Sequence, residues 1–277
     1  MSTLKFSSRA ERIKSSPIRE ILSVANRPGL ISFAGGLPAS DTFPEVDALS
    51  FEKGDLQYGP SEGESYLREY VAADLKKSGW DVGVDQILIL TGSQQGIDLV
   101  GKLFIDEGTE IAVASTTYLA ALQVFTLYGA DYVSFEAESV NDTITETKPV
   151  LLYANPTFQN PSSEVYTLKQ RQSVAQACEA HGTVLFEDDP YRELSYEPCE
   201  RQPICSMINR GSWVYQSTFS KTVAPGLRIG YLVCSADLYT KLLMLKQASD
   251  LHTSRVAQRL VKNILNNEDI DIRLEKL

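Results

Sequence analysis

Apolar positions along this chain of 277 residues fall into two alternating rhythms. Short apolar runs around Gln86–Leu90, Glu110–Ala114, Asp131–Phe135, Pro149–Ala154, Thr183–Phe186, Ser212–Gln216 and Ile229–Cys234 read as buried strands. Between them, apolar residues recur at helical spacing. Leu67, Tyr70, Val71 and Leu75 predict a helix over about residues 64–77, and Ile97, Val100, Leu103 and Phe104 predict another. Further helices are expected after Tyr118, over about 168–180, and as one helical region from 236 to 266. Ser16-Pro17 opens an earlier helix carrying Ile18, Ile21, Leu22 and Ala25 on one face. Residues 1–14 read as a flexible arm, and the acidic, polar stretch Glu136–Lys148 as a solvated loop. Strand and helix signals alternate from residue 86 to 260. That predicts an α/β fold with a mainly parallel sheet, helices on both faces, and ligands at the carboxyl ends of the strands.

Composition narrows the function classes. Hydrophobic residues at 43% and charged residues at 22% are ordinary for a globular chain. A net charge of -10 argues against a nucleic-acid partner, which requires a basic face. The N-terminal region departs from this, with Lys5, Arg9, Arg12, Lys14, Arg19 and Arg27, but lacks the apolar core of a secretory signal. The longest strictly aliphatic run, Ile87 to Leu90, is far short of a membrane span, so no membrane partner is expected. Cys178, Cys199, Cys205 and Cys234 show no C-x-x-C spacing, which fits reduced thiols in a cytoplasmic protein. His181 and His252 are too few for a histidine-rich metal site. His181, before Gly182, reads as a helix-end residue.

The chemistry concentrates in Ser217-Thr218-Phe219-Ser220-Lys221-Thr222-Val223-Ala224-Pro225-Gly226-Leu227-Arg228. A lysine lodged between two apolar strands is costly to bury without a partner. Desolvation and a neighbouring cation lower its pKa and ready it to form a Schiff base with an aldehyde. Arg228 can supply that cation and grip a phosphate with its planar fork. The phosphate-bearing aldehyde is pyridoxal 5'-phosphate (PLP). Thr91-Gly92-Ser93-Gln94, between a strand and a helix, offers unpaired N–H groups at a positive helix end, making Ser93 and Gln94 candidate phosphate donors. The alternative is that Lys221 and Arg228 are loop charges beside a sheet.

Ser-x-Ser/Thr-Lys followed by Pro-Gly-Leu-Arg-x-Gly closely resembles the lysine segment of fold-type I PLP-dependent aminotransferases, in the α-aminoadipate and kynurenine aminotransferase-like group of class I/II. The resemblance covers nearly the whole chain and implies roles for residues that are ambiguous alone. Tyr118 would stack on the pyridine ring, and Asn160 would donate to its ring oxygen. The family's Asn-Pro-Thr-Gly pattern here reads Asn-Pro-Ser-Ser. The family's Asp-x-x-Tyr selects Asp188, to keep the pyridine nitrogen protonated, and Tyr191, to hydrogen-bond the ring oxygen. Thr218 and Ser220 would join the cofactor site. Tyr58 would reach the phosphate of a neighbouring subunit, implying a homodimer. Phe33-Ala34-Gly35-Gly36-Leu37-Pro38 would border the substrate, placing Gly36 and Arg19 against it.

The implied reaction is transamination between an amino acid and a 2-oxo acid. The resemblance divides the chain into an N-terminal arm, helix and substrate-bordering segment (1–46), a large PLP-binding α/β domain (47–266), and the start of a linker helix (267–277). Similar enzymes continue into a small C-terminal domain carrying the arginine that grips the substrate carboxylate; the small domain is expected to be incomplete here. The rival expectations are a cofactor-binding relative with weak turnover, an aminotransferase-like sensor module, and a lyase or decarboxylase on the same fold.

Overall fold

Apolar runs of four to six residues become the strands of one seven-stranded sheet in the computed structural model, which describes residues 4–13, 36–45, 50–268 and 270–277. They are β1 (Ile87–Leu90), β2 (Glu110–Ala114), β3 (Asp131–Phe135), β4 (Leu151–Ala154), β5 (Val184–Asp188), β6 (Trp213–Thr218) and β7 (Gly230–Cys234). Every residue of β1, β4, β5, β6 and β7 is buried, as in strands covered on both faces. The order is β1-β7-β6-β5-β4-β2-β3. Pairs β2–β3, β2–β4, β4–β5 and β5–β6 are parallel, whereas β7 runs antiparallel to both β1 and β6. The expected α/β class and mainly parallel sheet are therefore present.

The described α-helices are α1 (Ser8–Arg12), α2 (Ser65–Lys77), α3 (Ser93–Phe104), α4 (Leu119–Tyr128), α5 (Val140–Thr147), α6 (Leu168–His181), α7 (Ala236–Asp250), α8 (Arg255–Asn267) and α9 (Ile270–Lys276). Alternation along the strands builds two cores. On one face Ile87, Ile89, Leu152, Leu185, Tyr215 and Val233 pack with Leu67, Val71 and Leu75 of α2, Val174 of α6, and Val261 and Ile264 of α8. On the other, Leu88, Leu90, Val113, Tyr153, Phe186, Val214 and Leu232 pack with Ile97 and Val100 of α3, Phe125 of α4 and Leu242 of α7. Each fully buried large aliphatic or aromatic side chain contributes roughly 1.5–3 kcal/mol relative to exposure. Among the described residues no helix is long and apolar enough to cross a membrane.

Two expectations need correction. The stretch read as a solvated loop, Glu136–Lys148, contains α5, because Val140 and Ile144 lie one turn apart and are both buried against the core that α6 covers. The acidic composition hid this apolar pair. The single helical region over 236–266 is two helices, broken at Leu251, where φ is 64° and ψ is -58°. His181 does close α6, with Gly182 left-handed beyond it. The helix expected from Ser16-Pro17, together with Arg19, lies outside the described residues.

Candidate active site

Strand alternation sorts three consecutive acids at the end of β5. Glu187, Asp188 and Asp189 are all fully or nearly fully buried. Glu187 points to the α6 side, where its carboxylate accepts the Ile204 and Cys205 N–H groups at 3.0 and 2.9 Å and lies 3.9 Å from the Arg171 guanidinium. Asp188 sits on the opposite face, where the Tyr153 hydroxyl donates to Oδ2 at 2.7 Å. Its Oδ1 accepts no hydrogen bond among the described residues. Burial pushes the Asp188 carboxyl up to about 6, against opposing pulls from Tyr153 and from Gln216, its partner across the β5–β6 register. An unpartnered buried carboxylate oxygen with no protein cation paired to it is a place prepared for a cationic donor.

The Lys221 loop faces the same region. After β6, Thr218 Oγ1 donates to Ser220 Oγ at 2.9 Å and accepts the Ser220 N–H at 3.1 Å, folding the chain tightly ahead of Lys221. Lys221 is half-buried; its Nζ donates to the Gly36 carbonyl at 3.0 Å and lies 5.5 Å from the Tyr191 ring centre. Burial and the Arg228 guanidinium both hold its ammonium below the ordinary lysine value. Tyr191 in turn accepts a hydrogen bond from Asn160 Nδ2 at 3.2 Å. Asn160 is located by its own N–H, which donates to Asn155 Oδ1 at 2.9 Å, while Asn155 Nδ2 donates to the Asp188 carbonyl. Tyr118, just before α4, is electrostatically coupled to Asp188, Tyr191 and Arg228; burial pushes its phenol up to about 12.

The reversed strand brings in the anion site. Leu90, Gly230 and Thr218 stand in register across β1, β7 and β6, so the start of β7 meets the ends of β1 and β6. Arg228, left-handed at φ 54°, therefore sits beside the turn that begins α3. Gly92 in that turn has φ +75°, and a Cβ there would lie 2.3 Å from Arg228 Nη2. A Cβ on Gly230 would come within 2.9 Å of the Ser93 backbone nitrogen. Gly92 demands glycine for its left-handed φ, and Gly230 for the close approach of backbone. Ser93 and Gln94 open α3, so their N–H groups have no intrahelical acceptor and lie at its positive end.

Lys221, Arg228, Ser93, Gln94, Tyr118, Asn160, Asp188, Tyr191, Thr218 and Ser220 thus converge at one end of the strands, where β1, β5 and β6 finish and β7 begins, and Gly36 joins them through Lys221. Tyr58 does not: it is 76% exposed and meets the His252 ring edge-on at 5.8 Å.

The profile of the family described as "Aminotransferase class I and II" matches residues 33–276. The chain belongs to that family. A 2-aminoadipate transaminase of Thermus thermophilus is 37% identical over 98% of this chain and 72% of its own length. The solved kynurenine aminotransferase of Pyrococcus horikoshii, in complex with PMP, is similar with TM-score 0.90 and 32% identity, over 98% of this chain and 72% of that one. Aminotransferase-like sequence also occurs in an HTH-type transcriptional regulator of Bacillus subtilis, 27% identical over 94% of this chain and 57% of its own length.

Two residues that organise this cluster, Tyr153 and Arg171, escaped the sequence reading. Tyr153 was hidden inside the apolar run of β4, although a tyrosine in a fully buried strand needs a polar partner for its hydroxyl. Arg171, in an otherwise ordinary helix, is completely buried. It donates to the carbonyls of Pro156, Tyr166, Glu200 and Gln202 and to Thr157 Oγ1, fastening the loop that carries Asn160. Charged residues on helices carry no sequence mark that separates such a clamp from a solvated surface.

Proposed function

We propose that the protein is a PLP-dependent aminotransferase that moves an amino group from an amino acid to a 2-oxo acid, with Lys221 as its catalytic residue. The observation that carries this reading is Asp188: buried, with one oxygen unpartnered, in the same cluster as a half-buried lysine whose charged neighbour is an arginine. The residues fit PLP at each end. Asp188 Oδ1 suits a protonated ring nitrogen, Tyr118 a ring face, and Asn160 with Tyr191 a ring oxygen. Arg228, Thr218, Ser220 and the opening N–H groups of α3 suit a phosphate.

When bound, PLP supplies a carbonyl for covalent attachment and an electron sink for a carbanion at the substrate Cα. Lys221 supplies the amine that holds it. Because burial and Arg228 disfavour its charged form, Lys221 is a readier nucleophile than an ordinary lysine, and when not holding the cofactor it would serve as the base that takes the proton from the substrate Cα. Asp188 holds the ring proton in place, and Tyr191, oriented by Asn160, donates toward the ring oxygen. Gly36 and Arg19 border the substrate, and Tyr58 of the partner subunit completes the phosphate site in a homodimer. The exposure of Tyr58 supports that last role, since a large ring held outward is available to a second copy. The donors named for the relatives, 2-aminoadipate and kynurenine, are the first to assay.

The experiment is spectroscopic and kinetic together. PLP added to the protein is expected to give a yellow imine band that borohydride fixes and Lys221→Ala abolishes, with transamination reduced by about 10³-fold or more. A wild-type protein with no such band overturns the reading. A band without turnover favours the second reading, a sensor module, which the similarity to a transcriptional regulator supports.

A further inference from the structure

A second lysine lies under the turn that opens α3, and it is more deeply buried than Lys221. Lys246, on α7, has 0% relative exposure. Its three protons meet three acceptors: Gln95 Oε1 at 3.1 Å, Asp250 Oδ1 at 3.0 Å and Thr253 Oγ1 at 2.9 Å. Each acceptor reaches on to the end of β1 or the turn beyond it. Asp250 Oδ2 accepts the Thr91 hydroxyl at 2.8 Å. Gln95 Oε1 also accepts the Thr91 N–H at 2.9 Å. Thr253 Oγ1 donates to the Ile89 carbonyl at 3.0 Å.

Burying the Lys246 ammonium costs several kcal/mol before its attraction to the partly exposed Asp250 carboxylate is counted, and an apolar side chain of similar volume would fill its space without that cost. What an apolar pair cannot do is accept the Thr91 hydroxyl, as Asp250 does, and hold the Gln95 amide oxygen that accepts the Thr91 N–H, as Lys246 does. Both groups of Thr91 are thereby fixed directly ahead of Gly92, at φ +75°, and of the Ser93 and Gln94 N–H groups that open α3. Positioning of this kind, in which buried polar groups hold the groups that touch a ligand, is how a supporting shell sets binding geometry.

We propose that Lys246 and Asp250 are positioning residues that preorganise the Thr91–Gln94 turn for a phosphate monoester, acting through Thr91 and Gln95. The inference rests on the PLP reading for the identity of the ester. It predicts that loss of the brace weakens ligands that carry the phosphate and spares those that lack it.

The test compares PLP with pyridoxal, which has the aldehyde but no phosphate, using imine absorbance and a thermal shift as separate readouts. Two variants are made: the apolar double replacement Lys246→Met with Asp250→Leu, and Thr91→Val at an exposed position where folding is safe. The double variant should bind PLP about tenfold or more weakly, and Thr91→Val about threefold more weakly, with pyridoxal affinity unchanged in both. Inorganic phosphate should raise the melting temperature of the wild type more than that of either variant. If both variants bind PLP as the wild type does, the brace is overturned while the PLP reading stands. If pyridoxal weakens equally, the residues act on the fold and not on the phosphate turn, and the proposal is again overturned. A wild type that is stabilised by phosphate but forms no imine band overturns the role of Lys221; the brace survives that result if the variants lose the phosphate stabilisation. A wild type that responds to neither ligand overturns both.

Discussion

Two lysines in one molecule, both held below their ordinary pKa by burial, are set up for opposite tasks. Lys246 is saturated: a carboxylate, an amide oxygen and a hydroxyl take its protons, and Asp250 pulls its pKa back up. Among the described residues Lys221 has one carbonyl acceptor, at 3.0 Å, and the charge acting on it is the Arg228 cation, which adds to the effect of burial. The same contrast holds between neighbours on β5. Glu187 has two backbone donors and an arginine, whereas Asp188 keeps one oxygen without a donor. Buried charge with complete partners builds the fold; buried charge with an incomplete set of partners is where a ligand can complete it.

The largest effect expected from this contrast is on the structural side. Arg171→Met leaves Glu187 buried without its cation and opens the carbonyl clamp, so it should cost about 3–5 kcal/mol in denaturant unfolding. A loss below about 1 kcal/mol would mean that Glu187 is not held as a charge.

Asp188→Asn should do the reverse to stability while damaging function. The folded pKa of Asp188, about 6, lies above the ordinary 3.8, so the folded chain holds that proton more tightly than the unfolded chain. The stability tied to that proton is complete below about pH 4 and is lost as pH rises through about 6. The cofactor-free asparagine variant should therefore be more stable than the wild type by roughly 1–3 kcal/mol at pH 8, and the gain should vanish near pH 4. Asp189, also pushed up by burial, to about 7, is common to both proteins and cancels in the difference. In the same variant, kcat/KM should fall by about 10²-fold. Higher stability at pH 4 than at pH 8 relative to the wild type would reverse the sign and break the argument.

The two lysines can be compared directly by reductive alkylation of the cofactor-free protein at neutral pH, read out by peptide mapping. Lys221 should be modified about tenfold or more faster than Lys246, since it is both less protonated than an ordinary surface lysine and accessible. Equal rates would show that the difference in partners does not translate into reactivity.

The smallest effect concerns Tyr153→Phe. Removing the hydroxyl that donates to Asp188 Oδ2 should raise the carboxyl pKa further and weaken PLP about three- to tenfold, with unfolding cost near 1 kcal/mol. The diagnostic is a shift of the pH dependence of PLP binding to higher pH, which a packing defect alone would not produce.

Most of the sheet was readable because a buried strand is a local signal: four or five apolar residues between turn formers suffice, as at Ile87–Leu90 and Leu151–Ala154. The helix within Glu136–Lys148 was not readable because its burial rests on two residues, Val140 and Ile144, in an acidic surround. The lysine segment was legible through its own residue order. Tyr153 and Arg171 were not, since nothing near them in the chain states what they touch.

The order of residues alone determined the strand and helix alternation, the placement of glycine at Gly92 and Gly230, and the segments bearing Lys221, Asp188 and Asn160. These depend on spacing and backbone freedom within a few residues. Only the tertiary structure decided which charges are satisfied. The reversal of β7 delivers Arg228 to the α3 turn. Lys221 meets Gly36 across 185 positions and Thr91 meets Asp250 across 159. Whether a buried charge becomes a brace or a reactive group depends on the dielectric and the donors around it, and those are assembled from distant parts of the chain only when the layers close.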